Sequence, residues 1–543
     1  MARPFGDVED AHLVEDQSAE ADRRQFLNLR SWPAGRRNLW LLALVAGGFF
    51  VYQLVAIGLR YPYTTDETIY LSQFNPHVPT YEWAAWRAWG SPVLAAPVAL
   101  LNSPLTETRL YFVILSSVGL FVAFRPWLKL TDRALAPLAA ALFGGTAVAV
   151  YNGSLDLPNY YIALAAVAAT GYFVACRQGT DNYRRSLLGL TVAVAFAALV
   201  RPSDSLWLVM PLGVACIGLR AWRRPAVVGA IVAGEALGWA PWIIESFFRF
   251  GGPFTRLHLA SDMLGGTHLY PDLAMVRVYV RLWSTGNVSP VALDVPQKFR
   301  GGAPILANVH LAPVGSAAVV WWIAACGAIV ASVASALLAR RTADRVSPLI
   351  MVPLAVGFSM AVPYLFMMRY GQMRFVLSAV ALLMLPIAYG VLQLGALGRL
   401  GTLRRPSIRV LRTGLAAALI VVLVGVQVDL SRPYRTTVSL GDRRFSAVIQ
   451  KLTDLGVSGP CAIAGYDSYT IAYQVGCRGI GSLSNPLVEA PPSVASALGR
   501  GERVAIVLQA APAPGTFMDR WRLVKVPVRG AHTPMFVYLS PVA

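Results

Sequence analysis

Runs of about twenty mainly apolar residues recur along this chain, and no other feature restricts its fold so strongly. A run of that length, coiled as a helix, matches the hydrocarbon thickness of a bilayer, and lipid admits only helices or closed barrels as spanning structures. Eleven candidates stand at 38–59, 108–127, 134–151, 159–176, 186–200, 204–220, 226–247, 314–338, 347–367, 374–396 and 412–430. The expected fold is mainly α, a polytopic membrane helix bundle. Between 186–200 and 204–220 stands Arg201-Pro202-Ser203-Asp204-Ser205, which reads either as a tight turn or as a broken helix. Composition agrees with lipid as the main solvent. Only 14% of residues are charged and mean hydropathy is +0.54, against about 25% charged in soluble domains.

The formal charge of +19 would suggest nucleic acid in a soluble protein. Here its distribution gives a simpler cause, because cytoplasmic loops collect Arg and Lys. Arg23, Arg24, Arg30, Arg36 and Arg37 precede the first run, and alternate short loops carry clusters such as Arg125, Lys129 and Arg133, or Arg220, Arg223 and Arg224. The other loops (60–107, 152–158, 201–205, 248–313, 368–373) are sparser in positive charge. The amino terminus is therefore expected inside and, with eleven spans, the carboxyl terminus outside. No nucleic-acid partner is expected. The first run is long, lacks a small-residue cleavage site and is followed by Arg60-Tyr61-Pro62-Tyr63, so it reads as a span and not as a signal peptide.

Three domains follow: a polar cytoplasmic tail at 1–37, a membrane domain at 38–430 with large outside loops at 60–107 and 248–313, and an outside segment at 431–543. The last has a soluble pattern. Asp442 to Leu455 reads as an amphipathic helix, and Cys461–Gly465, Val504–Leu508 and Met535–Leu539 read as short strands, giving a small extracytoplasmic α/β domain. Cys461 and Cys477 both fall there, where a disulfide persists if geometry permits one. Cys176, Cys216 and Cys326 read as small apolar fillers of the spans. No metal-ligand spacing of Cys or His appears. Sequons at Asn152 and Asn287 carry no functional weight in this reading.

Three stretches could carry chemistry. Tyr61-Pro-Tyr-Thr-Thr-Asp66-Glu67-Thr-Ile-Tyr70 sets two adjacent carboxylates just outside the first span. They read either as ordinary acids of a solvated loop or as carboxylates within reach of a lipid headgroup, where one accepts a proton from an attacking hydroxyl. Asp156, in the turn Tyr151 to Tyr161 ahead of Pro158, has a backbone reason to be there, yet the topology puts it on the same face as Asp66. Arg369 and Arg374, at the entry to the tenth run, read either as interfacial anchors or as ligands of a lipid phosphate, whose oxygens a guanidinium matches. Arg201 is a weaker candidate for that role, and Asp262 and Asp272 are weaker still.

Together these stretches resemble the membrane-embedded glycosyltransferases of the C superfold, and within it the bacterial polyprenyl-phosphate-sugar-dependent enzymes that include protein O-mannosyltransferases and aminoarabinose transferases. The acidic pair of the first outside loop matches Asp66-Glu67, and the Asp of the second motif matches Asp156. Gly90-Ser-Pro-Val-Leu-Ala-Ala-Pro97 occupies the place of a Pro-rich helix but departs from it, with Gly-Ser before one proline. The resemblance implies a polyprenyl-phosphate sugar donor in the membrane lipid, and a glycan, lipid or protein as acceptor. It implies Asp66 as general base, Glu67 or Asp156 positioning the acceptor or the base, and Arg369, Arg374 or Arg201 on the donor phosphate. No cofactor is required, and a divalent metal stays open. Such an enzyme would lie in the inner (plasma) membrane with its site on the extracytoplasmic face. The alternatives are a lipid-linked glycan transporter or flippase, for which the spans hold few ionisable residues beyond Glu235 and Glu245, a glycan polymerase or ligase, and a non-catalytic scaffold.

Overall fold

A computed structural model describes residues 33–131, 134–177, 182–263, 266, 268–285, 291–292, 306–307, 315–338, 343–396, 406–481, 483, 488–512, 514–531 and 533–541. The expected tail, apart from its last residues, and the sequon at Asn287 lie outside the described residues.

The first apolar run forms α1 (Ala34–Ala56). The loop after it holds α2 (Thr65–Ser72) and α3 (Gly90–Leu100). α4 (Leu105–Phe124) continues into a 3-10 turn at Arg125–Lys129. The run at 134–151 is broken into α5 (Leu135–Gly144) and α6 (Ala147–Gly153), bent by 79°. Gly144-Gly145 sits at the break and Thr146 caps α6 through its hydroxyl. α7 (Pro158–Cys176), α8 (Tyr183–Val200), α9 (Pro202–Gly218) and α10 (Pro225–Arg249) follow. The Arg201 segment is a tight break: Pro202 opens α9 at its first position, where a missing N–H costs nothing. α9 has 17 residues, short for a full crossing. Next come α11 (Pro253–Met263), α12 (Ala274–Thr285), α13 (Ser316–Leu338), α14 (Ala343–Val362) and α15 (Leu377–Ala396). Among the described residues, nine helices are long and apolar enough to cross a membrane, and the bent pair would make a tenth.

α16 (Pro406–Asp454) is a single 49-residue helix. It joins the last apolar run to the amphipathic stretch expected at 442–455, so a boundary at residue 430 falls within one element. Beyond it β4 (Cys461–Gly465), α17 (Ser468–Val475), β5 (Arg478–Gly479), α18 (Pro492–Gly499), β6 (Arg503–Leu508), β7 (Arg522–Val526) and β8 (Met535–Leu539) build a five-stranded mixed sheet in the order β5-β4-β6-β8-β7; three two-residue strands, Val291–Ala292, Leu306–Ala307 and Tyr370–Gly371, take the numbers β1 to β3. Alternation decides the faces of the larger sheet. Ile463, Ala505 and Val507 pack with Val448 and Leu452 of α16, while Ala462, Ala464, Val504 and Ile506 pack with Val494 and Ala497 of α18. A disulfide joins Cys461 to Cys477, with their Cα atoms 5.0 Å apart. α17 rests on the first loop: Thr470 donates to Tyr63 O at 3.2 Å, Asn75 donates to Tyr473 Oη at 2.8 Å, and Tyr81 Oη donates to Cys477 O at 3.2 Å.

Candidate active site

α2 begins with a reciprocal cap. Thr64 Oγ1 accepts from Glu67 N, and Glu67 Oε2 accepts from Thr64 N at 2.8 Å. The cap fixes the helix start and turns two adjacent acids to different surroundings. Glu67 is buried. Arg109, at the head of α4 and also fully buried, donates to both its oxygens, with Nη2 at 3.0 Å from Oε2. Asp156 N donates to Glu67 Oε1 at 3.0 Å. Arg109 donates further to the Tyr61, Pro62 and Ser154 carbonyls and lies 4.0 Å over the Tyr61 ring. Glu67 therefore ties its own helix cap, α4 and the Asp156 turn together, and both its oxygens are engaged.

Asp66 faces a cleft and stays 29% exposed. Arg87 Nη2 meets Oδ1 at 2.8 Å and Arg374 Nη2 meets Oδ2 at 2.8 Å. Burial alone would push this carboxyl up, but Arg87 and then Arg374 outweigh it and hold Asp66 well below the usual carboxylate range. Neither guanidinium is used up. Arg87 Nε and Nη1 and Arg374 Nε have no hydrogen-bond partner although they are buried. Two cations on one anion, with three buried nitrogens unpartnered, leave a surplus of positive charge and charge-assisted donors beside Asp66.

Asp156 lies behind this pair with no exposure, and neither of its carboxylate oxygens has a hydrogen-bond partner. Burial, followed by the Glu67 charge, pushes its carboxyl well above the usual range. Ser91 Oγ of α3 is directed toward it and opposes that rise without reaching full hydrogen-bond geometry. The departure at Gly90 has a packing reason: a Cβ there would sit 2.4 Å from Val200 Cα at the end of α8.

Arg201 sits at the α8–α9 break, paired with Asp204 at 3.2 Å, and Tyr364 Oη donates to Asp204 Oδ1 at 2.6 Å. Its guanidinium lies 5.3 Å from the Phe375 ring, which Arg374 also faces at 5.6 Å. Arg201 thus borders the Asp66 cleft. Arg369 does not join it. It pairs with exposed Asp272 and lies 4.2 Å over the Tyr270 ring. Asp262 is exposed beside His258. Loops 60–107, 152–158, 201–205 and 368–373, which the charge pattern assigns to one face, meet at this cleft. Among the described residues no group of three or more His, Cys, Asp or Glu could hold a metal ion.

The sequence reading missed Arg87 and Arg109. Arg109 stood at the head of an apolar run and Arg87 among Trp83, Trp86 and Trp89; a cation amid apolar residues was the available signal. Glu245, counted among the ionisable residues of the spans, pairs with Arg256 at 2.8 Å and Arg249 at 3.2 Å. Glu235 accepts from Ser205 Oγ and Trp239 Nε1.

No family model matches the sequence, and no curated protein matches it. Among solved structures, the chain is similar to ArnT of Cupriavidus metallidurans, with a TM-score of 0.55 in the apo state and 0.54 bound to undecaprenyl phosphate, 13% identity, and alignment over 91% of this chain and 97% of that one. It is similar to the arabinofuranosyltransferase AftD from Mycobacteria, with a TM-score of 0.50 and 13% identity over 92% of this chain and 39% of that one. Both are membrane glycosyltransferases of the C superfold. The fold is GT-C. In this GT-C chain the Asp66 cleft is formed where the first loop meets the entry to α15.

Proposed function

We propose that the chain is a membrane glycosyltransferase that moves a sugar, hexosyl or pentosyl, from a polyprenyl-phosphate donor to an extracytoplasmic glycan, lipid or protein acceptor. The observation that carries this reading is the pairing of Asp66 with two guanidiniums that retain unused donors. The bound undecaprenyl phosphate of the ArnT structure supports a lipid phosphate as the anion.

The donor tail would lie in the bilayer and its phosphate at the cleft. Arg87 and Arg374 would take the phosphate through their unpartnered nitrogens, with Arg201 at the margin; Arg369 would serve as an outer guide. As the sugar–phosphate bond breaks, the leaving phosphate gains negative charge and draws both guanidiniums more strongly, which is stabilisation specific to the transition state. The same movement frees Asp66. Its basicity rises from a depressed resting value, and it accepts the proton of the acceptor hydroxyl as the new glycosidic bond forms. Glu67 would hold α2 and Asp156 in register. Balance is complete: the acceptor oxygen gains the sugar, polyprenyl phosphate leaves, and the proton resides on Asp66.

The test is a transfer assay with purified protein in lipid and a panel of polyprenyl-phosphate sugars. Release of polyprenyl phosphate from one donor is expected, with Asp66→Asn lowering turnover roughly 100-fold or more, the range of general-base loss. Arg374→Gln should instead weaken donor use, roughly tenfold, as expected for one charge-assisted hydrogen bond. Normal transfer by Asp66→Asn would sink the base assignment. No turnover of any donor, with lipid-linked glycan still bound, would favour a flippase.

A further inference from the structure

Arg87 stands in the segment 81–89, which is itself neither helix nor strand and leads into α3 at Gly90. Its own backbone offers one turn bond, Arg87 N to Ala84 O at 3.1 Å. What fixes the segment comes from elsewhere. Arg256 of α11 is fully buried, and its guanidinium donates through Nε to Ala85 O and through Nη2 to Arg87 O, each at 2.9 Å. It is held in turn by the Trp242 carbonyl at 2.9 Å, Ser246 Oγ at 3.3 Å and Glu245 Oε2 at 2.8 Å. The Trp242 and Phe250 rings flank it at 4.4 Å each. Glu245 Oε2 also accepts from Trp83 Nε1 at 3.2 Å, a second tie to the same segment.

A buried guanidinium whose donors are divided between a helix end and a loop backbone is a rigid clamp, because freeing the loop would leave a buried cation unsatisfied. We infer that Arg256, seated by Glu245, is a positioning residue that sets the Arg87 guanidinium on Asp66 and so tunes the carboxylate of the cleft. Arg256 touches neither Asp66 nor the cleft; it acts through the Arg87 backbone. The groups that face Asp66 are Arg87, Arg374, Tyr70 of its own helix and Tyr370, while Glu67 is turned away onto Arg109. The inference rests on the proposed role of the cleft only for its catalytic meaning. The clamp itself has a separate readout.

That readout is the ionisation of Asp66 in the full chain in lipid nanodiscs, followed by the infrared carboxyl band that Asp66→Asn removes. In the wild type Asp66 should stay ionised well below the ordinary Asp range. In Arg256→Gln its titration should rise toward that range, about 4. In an Arg87→Gln background, adding Arg256→Gln should shift it no further, since the effect passes through Arg87. Unchanged titration in Arg256→Gln overturns the inference, as does a shift that simply adds to that of Arg87→Gln. If Arg256→Gln does not fold, Glu245→Gln carries the same comparison and the same expected direction. Parallel transfer assays keep the two ideas apart. A moved titration with unchanged transfer upholds the clamp and refutes the catalytic reading, and an unmoved titration refutes the clamp whatever transfer does.

Discussion

Two neighbouring carboxylates of one helix turn, Asp66 and Glu67, are each held by guanidinium groups but differ in exposure, Asp66 partly open and Glu67 buried on Arg109, while Asp156 has no such partner. Asp66 binds its proton less tightly when folded, so its contribution to stability is present above the unfolded value near 4 and fades as pH falls below it. Asp156 is the reverse: folding favours its protonated form, so its contribution falls as pH rises from the unfolded value. Asp156→Asn should therefore flatten the decline in thermal midpoint as pH rises above the unfolded value near 4, and a decline unchanged or steeper in the variant would refute a raised Asp156. Glu67→Gln leaves the buried Arg109 charge without its counter-ion and should cost about 3–5 kcal/mol, read by denaturation in detergent. The acids themselves were legible in the sequence, as an adjacent pair and as an Asp in a short turn. Their partners were not, because Arg87 and Arg109 come from segments 21 and 42 residues distant and nothing local marks such pairings.

Helices were the most legible elements, since a bilayer demands long apolar runs. What the runs could not convey was continuity. The break between α5 and α6 was hidden in one apolar stretch, its only mark being Gly144-Gly145-Thr146. Conversely, the last apolar run and the amphipathic stretch at 442–455 read as separate helices, yet α16 is continuous through both. Helix contacts depend on small residues that bring backbones together. A Cβ on Gly390 of α15 would lie 2.0 Å from Ala328 O of α13, and one on Gly238 of α10 would lie 2.3 Å from Ala195 O of α8. Gly390→Val should push α15 off α13 and destabilise by about 1–3 kcal/mol or more. An unchanged thermal midpoint would mean that the two helices yield freely. Because α15 follows directly from the Arg374 turn, donor use should suffer as well.

At the scale of the whole molecule, the sequence indicated a lipid-embedded part and a small α/β part but not how they meet. They meet at α2: Thr470, Tyr473 and the Cys477 carbonyl all bond to the loop that carries Asp66. The disulfide closes the segment between β4 and the end of α17, with a sequence separation of 16, worth about 3 kcal/mol by chain entropy. Replacing both cysteines with serine should lower the unfolding midpoint of the α/β unit, and should slow transfer if α17 steadies α2; full activity at normal fold would separate the two. α16 adds a mechanical consequence. At about 1.5 Å per residue, its 49 residues form a rod that is both the last membrane helix and a wall of the α/β core. Such a rod transmits tilt like the shaft of an oar. A tilt at one end of the rod would be carried to the α/β unit at the other, and from α17 to the loop that carries Asp66.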